Sequence, residues 1–125
     1  MTISQTAKNN HEQLFPKSQG TLQITDPELL EIFENFTFDE VLREHNVDIW
    51  TRLMVILAAC LGSQALHEFR MTVNGALNVG VTAVEIKEII YQAVPYVGMA
   101  KVVDFLLASN EIFESRGIKL PLESQ

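Results

Sequence analysis

The chain has 125 residues, of which 47% are hydrophobic, and this is enough for one domain with a core of its own. Nine Lys and Arg against sixteen Asp and Glu give a net charge of −7, which argues against nucleic acid and anionic membranes as partners. The longest apolar run, Leu53 to Leu61, is far shorter than the roughly 20 residues that cross a bilayer. Because the N-terminus is polar and the chain has a single cysteine, we expect no secretory signal and a cytoplasmic location.

The first quarter of the chain predicts an arm followed by two helices. Residues 1–21 are polar and aperiodic, and we interpret them as a flexible N-terminal arm. The fold is expected to begin at "TDPELLEIFENF", where Asp26 can cap a helix and Pro27 suits its first position. A second, short helix is expected over residues 38–44.

The segment "NVDIWTRLMVILAACLG" predicts a largely buried helix that begins after Asp48 and ends at Gly62. A buried strand is the competing interpretation of such an apolar run, but its length and its Ala-Ala pair favour a helix. A further helix is predicted over residues 63–79. The next helix begins with a capping box, formed by Thr82 and Glu85, and should be kinked or ended by Pro95.

A last helix is predicted over residues 99–116, and no strand pattern with turn residues occurs anywhere in the sequence. Glycines 62, 80 and 98 are interpreted as the ends of helices in antiparallel hairpins. We therefore predict an all-α fold, an antiparallel bundle of about six helices. The helical domain should cover residues 22–118, and residues 119–125 should form a C-terminal tail.

Two polar flanks are candidates for a site. Glu68 and Thr72 lie four residues apart on one flank of the helix over 63–79, beside an apolar stripe that should face the core. That stripe consists of Leu66, Phe69, Val73, Ala76 and Leu77. The following helix has a similar flank, made of Glu88, Gln92 and Tyr96. If the two helices were neighbours, these flanks would line a cleft.

Each candidate also has an ordinary structural interpretation. Arg52 lies inside the apolar helix and needs an acidic partner, either Glu68 or Glu88, so it is either a structural ion-pair residue or a clamp for an anion. Glu68 is equally an ordinary solvated carboxylate. His67 is interpreted as a surface residue and Cys60 as an inert core thiol. No metal-ligand spacing, CxxC pair or phosphate-binding loop is present.

The segment "NGALNVGVTAVEIKEIIYQAVPYVG" resembles the carboxymuconolactone decarboxylase-like family. The family pattern is a helix ending in "AL..G.T" followed by "EI.E...Q...Y.G", and the upstream "TRLMVILAA" is similar to its arginine-led buried helix. The resemblance covers roughly residues 26–117. It implies a small all-α protein that assembles as a homo-oligomer, a trimer or hexamer, and that needs no cofactor.

The family has two branches, and the residues of this chain distinguish them. The alkylhydroperoxidase branch reduces peroxides with a CxxC pair, whose positions here hold Ala65 and Glu68. The decarboxylase branch, which acts on a carboxylated lactone in aromatic degradation, has a glutamate at the position of Glu68 and a histidine at that of Thr72. The resemblance therefore implies Glu68 as the acid of a decarboxylase, with Thr72 in place of the histidine.

Three functions follow as hypotheses. The first is a cofactor-independent decarboxylase or related lyase on a small anionic ring compound. Its site would be lined by Glu68 and Thr72, with Arg52, Glu88, Gln92 and Tyr96 binding the substrate. The second is a non-catalytic or repurposed family oligomer with a binding role. The third, an antioxidant of the alkylhydroperoxidase type, is disfavoured because the CxxC pair is missing.

Overall fold

The computed structural model describes residues 2–16, 20–43 and 47–123. In these residues the chain forms seven α-helices and one turn of 3-10 helix, with no β-strand, so the predicted all-α class is confirmed. The helices are α1 (Gln5–Leu14), α2 (Leu22–Thr25), α3 (Pro27–Phe38), α4 (Ile49–Ser63), α5 (Leu66–Asn78), α6 (Ala83–Val97) and α7 (Met99–Ser115). None of the helices in the described ranges is both long and apolar enough to span a membrane.

The chain divides into two compact units. Unit 1 comprises residues 1–46 and contains α1 to α3, and unit 2 comprises residues 47–125 and contains α4 to α7. This division falls inside the range 22–118 that the sequence predicted as one domain. Each unit is described by itself below.

Helix α1 occupies part of the segment that we expected to be a flexible arm. The Ser4 hydroxyl accepts a hydrogen bond from the Ala7 N–H (3.0 Å) and so caps the helix, and Ala7 is fully buried. His11 Nδ1 lies 3.0 Å from Glu34 Oε2, which joins α1 to α3. The arm interpretation is wrong for these residues. Helix α1 is polar overall, so its sequence gave little sign of a packed helix, and contacts with α3 hold it. Residues 1 and 17–19 of the expected arm lie outside the described ranges.

The short α-helix expected over residues 38–44 does not form as predicted. Phe38 is the last residue of α3, and only a turn of 3-10 helix follows, at Glu40–Leu42. Asp39 leaves the helical conformation with φ −136°, and its carboxylate accepts hydrogen bonds from the Ser4 hydroxyl (2.7 Å) and from Arg43 (3.3 Å). The bond from Ser4 is the main reason why the pKa of Asp39 lies below its ordinary value. Residue 44 lies outside the described ranges.

Unit 2 is built around one face of α4. Asp48 caps this helix as predicted, accepting a hydrogen bond from the Thr51 N–H (2.8 Å), and this bond lowers the pKa of Asp48. The buried face of α4 consists of Leu53, Leu57, Cys60 and Leu61. Helix α4 packs against both α5 and α6, and α7 packs against the same two helices. Phe69 of α5 and Phe105 of α7 meet edge to face in the core, with their ring centroids 5.1 Å apart.

Helix α4 differs from its prediction in two respects. It is not buried on most sides, because Val55 is 61% exposed and lies on an open face with Ala58, Ala59 and Gly62. It also does not end at Gly62. The helix ends one residue later, and Gln64 adopts the left-handed conformation (φ 61°) that closes the last turn.

The later helices follow the prediction more closely. Helix α6 continues through Pro95 and ends before Gly98, whose φ of 100° breaks the helix at the start of α7. In the predicted core stripe of α5, Phe69, Val73 and Ala76 are buried, but Leu66 is 37% exposed because it lies in the first turn. Ser124 and Gln125 of the predicted tail lie outside the described ranges.

The predicted capping box at the start of α6 is confirmed, and it has a third member. Glu85 Oε1 accepts a hydrogen bond from the Thr82 N–H (3.0 Å), and the Glu85 N–H donates to the Thr82 hydroxyl (3.1 Å). The other carboxylate oxygen of Glu85 accepts a hydrogen bond from the Trp50 indole N–H (3.1 Å), which ties the first turn of α4 to the first turn of α6. These bonds, with that from the Thr82 backbone the largest, lower the pKa of Glu85.

We predict that Glu85→Ala lowers the stability of the protein at neutral pH by about 1 kcal/mol, because the capping box and the bond to Trp50 are both lost. Because the pKa of Glu85 is lower in the folded protein, its ionised form contributes stability above its ordinary value of 4.5, and this contribution is lost as the pH falls through the folded value. The difference between the two proteins should therefore shrink in acid. Urea unfolding followed by circular dichroism at several pH values measures it. A difference that does not change with pH would contradict this assignment.

Candidate functional site

Glu68 and Thr72 lie one turn apart on α5, as the sequence predicted, but in different surroundings. Glu68 is in the first turn of the helix and its side chain is exposed, whereas Thr72 is buried. The Thr72 hydroxyl donates a hydrogen bond to the backbone carbonyl of Glu68 (2.7 Å). This bond is made within the helix, so the proton of the hydroxyl is already engaged by the backbone.

The negative charge of Glu68 acts on the thiol of Cys60. Cys60 is on the buried face of α4, near its C-terminal end, and is 8% exposed. Burial raises the pKa of Cys60, and the negative charge of Glu68 raises it further. The charge of Glu68 on α5 therefore acts on this end of α4, and the two helices pack against each other.

Arg52 is at the opposite end of α4. Its guanidinium is half-buried and donates a hydrogen bond to the Val47 carbonyl (3.3 Å). Cys60 lies eight residues later, about 12 Å further along the helix. The sequence predicted Glu68 or Glu88 as the acidic partner of Arg52, but no ion pair with Arg52 occurs in the described residues.

The second polar flank lies on the outer side of α6. Glu88 and Gln92 are exposed, and Tyr96 is 89% exposed. Because α4 and α7 each pack against both α5 and α6, the latter two helices lie at opposite corners of unit 2 and do not form a packed pair. Within one chain, the structure thus brings Glu68 and Thr72 together but leaves the residues of α6 and Arg52 apart from them.

Comparison with known protein families assigns the chain. The sequence pattern of the carboxymuconolactone decarboxylase family matches residues 27–111, more than half of the 125 residues. The chain belongs to the carboxymuconolactone decarboxylase family. This match confirms the resemblance that the motif around Gly80 and Thr82 indicated. No curated protein matches the sequence at a significant level.

The environment of Cys60 argues against peroxidase chemistry of the alkylhydroperoxidase type. This decarboxylase-family chain has one cysteine, which is buried and whose pKa is raised, so little of it is the reactive thiolate at neutral pH. A dithiol peroxidase needs a second, resolving thiol. In the described ranges, no group of three or more His, Cys, Asp or Glu side chains is arranged to hold a metal ion.

Lys87 is a charged residue that the sequence analysis missed. It lies on the buried stripe of α6 with Ala83, Ile86 and Ile90, and it is only 5% exposed. Burial lowers the pKa of Lys87, and its ammonium makes no hydrogen bond or ion pair with any residue that the structure describes. The sequence contained a signal for the burial of this residue. Lys87 comes four residues after Ala83 and three before Ile90, so the three residues lie on one face of the helix. The stem of Lys87 therefore packs among apolar side chains, while the ammonium at its end reaches the surface.

We predict that the Glu68 charge suppresses the reactivity of Cys60. Glu68→Gln removes that charge, so the pKa of Cys60 should fall and its alkylation by iodoacetamide should begin at lower pH. Glu88→Gln is the matched control, because it removes the same charge from an exposed position on α6. The rate of alkylation against pH gives the result. Identical profiles for both variants would show that the Glu68 carboxylate is not beside the thiol.

We predict that Lys87→Met stabilises the protein at pH 7, because a partly desolvated ammonium is replaced by an apolar side chain of similar length. The pKa of Lys87 is lowered on folding, so wild-type stability should rise with pH towards the ordinary value of 10.5 and the advantage of the variant should shrink. Lys101→Met, at an exposed position of α7, should change little. A destabilised Lys87→Met variant in urea unfolding would show that the ammonium has a partner in solution.

Proposed function

We propose that the protein is a cofactor-independent carboxy-lyase, or a related lyase, that acts on a small anionic ring compound with Glu68 as its acid. The observation that supports the proposal is the position of Glu68 on α5, a helix that packs against α4, where its charge acts on the thiol of Cys60. The resemblance to the family implies a glutamate at this position. An exposed carboxyl at the edge of an apolar contact is accessible to a ligand. A ligand that covers it would favour its protonated form, because burial disfavours the charge.

The chemistry assigned to Glu68 is the donation of one proton. In such a decarboxylation, the bond between the ring and its carboxylate breaks, carbon dioxide leaves, and the electron pair remains on the ring as an enolate. Glu68 protonates the ring carbon and is then reprotonated from water, so that no external oxidant or reductant is required. Arg52 is proposed to bind an anionic group, and Glu88, Gln92 and Tyr96 to provide hydrogen bonds to substrate.

The proposed site is completed by assembly. Arg52 and the polar flank of α6 lie apart from Glu68 within one chain, and Tyr96 is almost fully exposed. Large apolar side chains, including Val55, Met99 and Leu107, are also more than half exposed in unit 2. These observations support a homo-oligomer, a trimer or hexamer, in which residues of different copies form each site.

A second function is favoured by one observation on Thr72. Its hydroxyl is bonded to the Glu68 carbonyl and cannot take part in proton transfer near neutral pH as the family histidine would. This favours a family oligomer that binds a small anionic compound without turning it over. Such a protein would bind ligand with Glu68 as a contact and would release no carbon dioxide.

We predict that the purified protein releases carbon dioxide from γ-carboxymuconolactone, and that Glu68→Gln reduces the rate by about 100-fold or more, the range for loss of a general acid. Thr72→His should raise the rate if the family histidine restores proton transfer. Glu114→Gln, at an exposed position of α7, is the control and should leave the rate unchanged.

Loss of substrate and release of carbon dioxide are measured together. Binding of the lactone without turnover, in both the wild type and Thr72→His, would support the binding role. Turnover that survives Glu68→Gln would remove Glu68 from the mechanism.

A further inference from the structure

Lys87 is an amine whose surroundings differ from those of the other lysines on helices. It lies in the second turn of α6, on the buried stripe of that helix, and only 5% of its surface is exposed. Lys8 on α1 and Lys101 on α7 are both exposed. The fold therefore packs one lysine among apolar side chains and leaves the other two in water.

No carboxylate holds the ammonium of Lys87 in the part of the chain that the structure describes. The residues one turn away from it on α6 are all uncharged at neutral pH: Ala83, Val84, Ile90 and Tyr91. By contrast, Lys8 has Glu12 four residues later, and Lys101 has Asp104 three residues later. None of the ion pairs among the described residues includes Lys87.

The end of the Lys87 side chain is open to solvent. Among the described residues, the buried side-chain nitrogen and oxygen atoms that have no hydrogen-bond partner are Glu31 Oε1 and Asn110 Oδ1. Lys87 Nζ has no partner in these residues and is not one of those buried atoms, so water reaches it. The apolar stem accounts for the burial, and the amine at its tip is accessible to a small molecule.

An amine in these surroundings is a better nucleophile than an ordinary surface lysine. Only the neutral amine attacks a carbonyl carbon, and burial, which disfavours the ammonium, lowers the pKa of Lys87. The amide that forms on acylation is uncharged, so it fits the apolar stripe better than the ammonium does. Both the reaction and its product are therefore favoured at Lys87 over the exposed lysines.

We propose that Lys87 is an acylation site that accepts a small acyl group from an uncharged thioester. Its nitrogen attacks the carbonyl carbon and forms the C–N bond, the C–S bond breaks, the sulfur leaves as a thiolate, and the amine gives one proton to water. No oxidant or reductant is required. The net charge of −7 disfavours negatively charged acyl donors. This inference does not depend on the proposed lyase reaction.

The rate of acetylation of each lysine in the full chain tests the proposal. The protein is treated with S-acetyl-N-acetylcysteamine, a small uncharged thioester, and peptide mass spectrometry follows each site with time. Lys87 should be acetylated at least about threefold faster than Lys8 and Lys101. In urea the three rates should become similar, because the preference comes from the fold. Acetylation of Lys87 no faster than that of Lys101 in the folded protein, or a preference that persists in urea, would overturn the proposal.

A second donor tests the size of the acyl group. The thioester of the same thiol with biotin is bulky, and a packed stem should keep it from the amine, so the preference for Lys87 should be lost. A preference that is kept with this donor would overturn the assignment to small acyl groups.

A matched pair of variants tests the fit of the product. Arginine keeps the positive charge but is not acylated by this donor. Brief acetylation should raise the urea midpoint of the wild type and of Lys101→Arg, and it should leave that of Lys87→Arg unchanged. A wild type whose midpoint does not rise, or a Lys87→Arg protein whose midpoint rises equally, would contradict the proposed site.

Discussion

The packing of one face of α4 is the constraint on which unit 2 depends. Its buried side chains contact two helices at once, because both α5 and α6 pack against it. A helix that packs against two partners fixes their separation, and α7 then packs against the same two helices from the other side. This arrangement places α5 and α6 at opposite corners. It is therefore the position of α4 that keeps the polar flanks of those two helices apart within one chain.

The same packing explains the environment at each end of α4. At its beginning, Trp50 reaches the first turn of α6, and Arg52 bonds to the backbone just before the helix. At its end, burial and the negative charge of Glu68 both raise the pKa of Cys60. Arg52 and Cys60 are about 12 Å apart along the axis of α4.

The sequence predicted the features that depend on local patterns and missed those that depend on tertiary contacts. The cap at Asp48, the capping box at the start of α6, and the burial of Phe69, Val73 and Ala76 in α5 followed from spacing alone. A cap or a stripe needs only residues within one or two turns. Helix α1 was missed since its stability comes from contacts with α3. The separation of Glu68 from the polar flank of α6 depends on which helices pack together. The periodicity of the sequence does not show which helices are neighbours.

The indole of Trp50 has a practical consequence. It is the only tryptophan in the chain, it is 39% exposed, and it is hydrogen-bonded to Glu85. A Cβ added at Gly80, which has φ +96°, would lie 3.4 Å from the indole, so the ring packs closely on the loop before α6. Its fluorescence is thus a built-in optical probe of residues 47–125, while circular dichroism reports all the helices. Comparing the two signals during unfolding would show whether the two units melt together or one after the other.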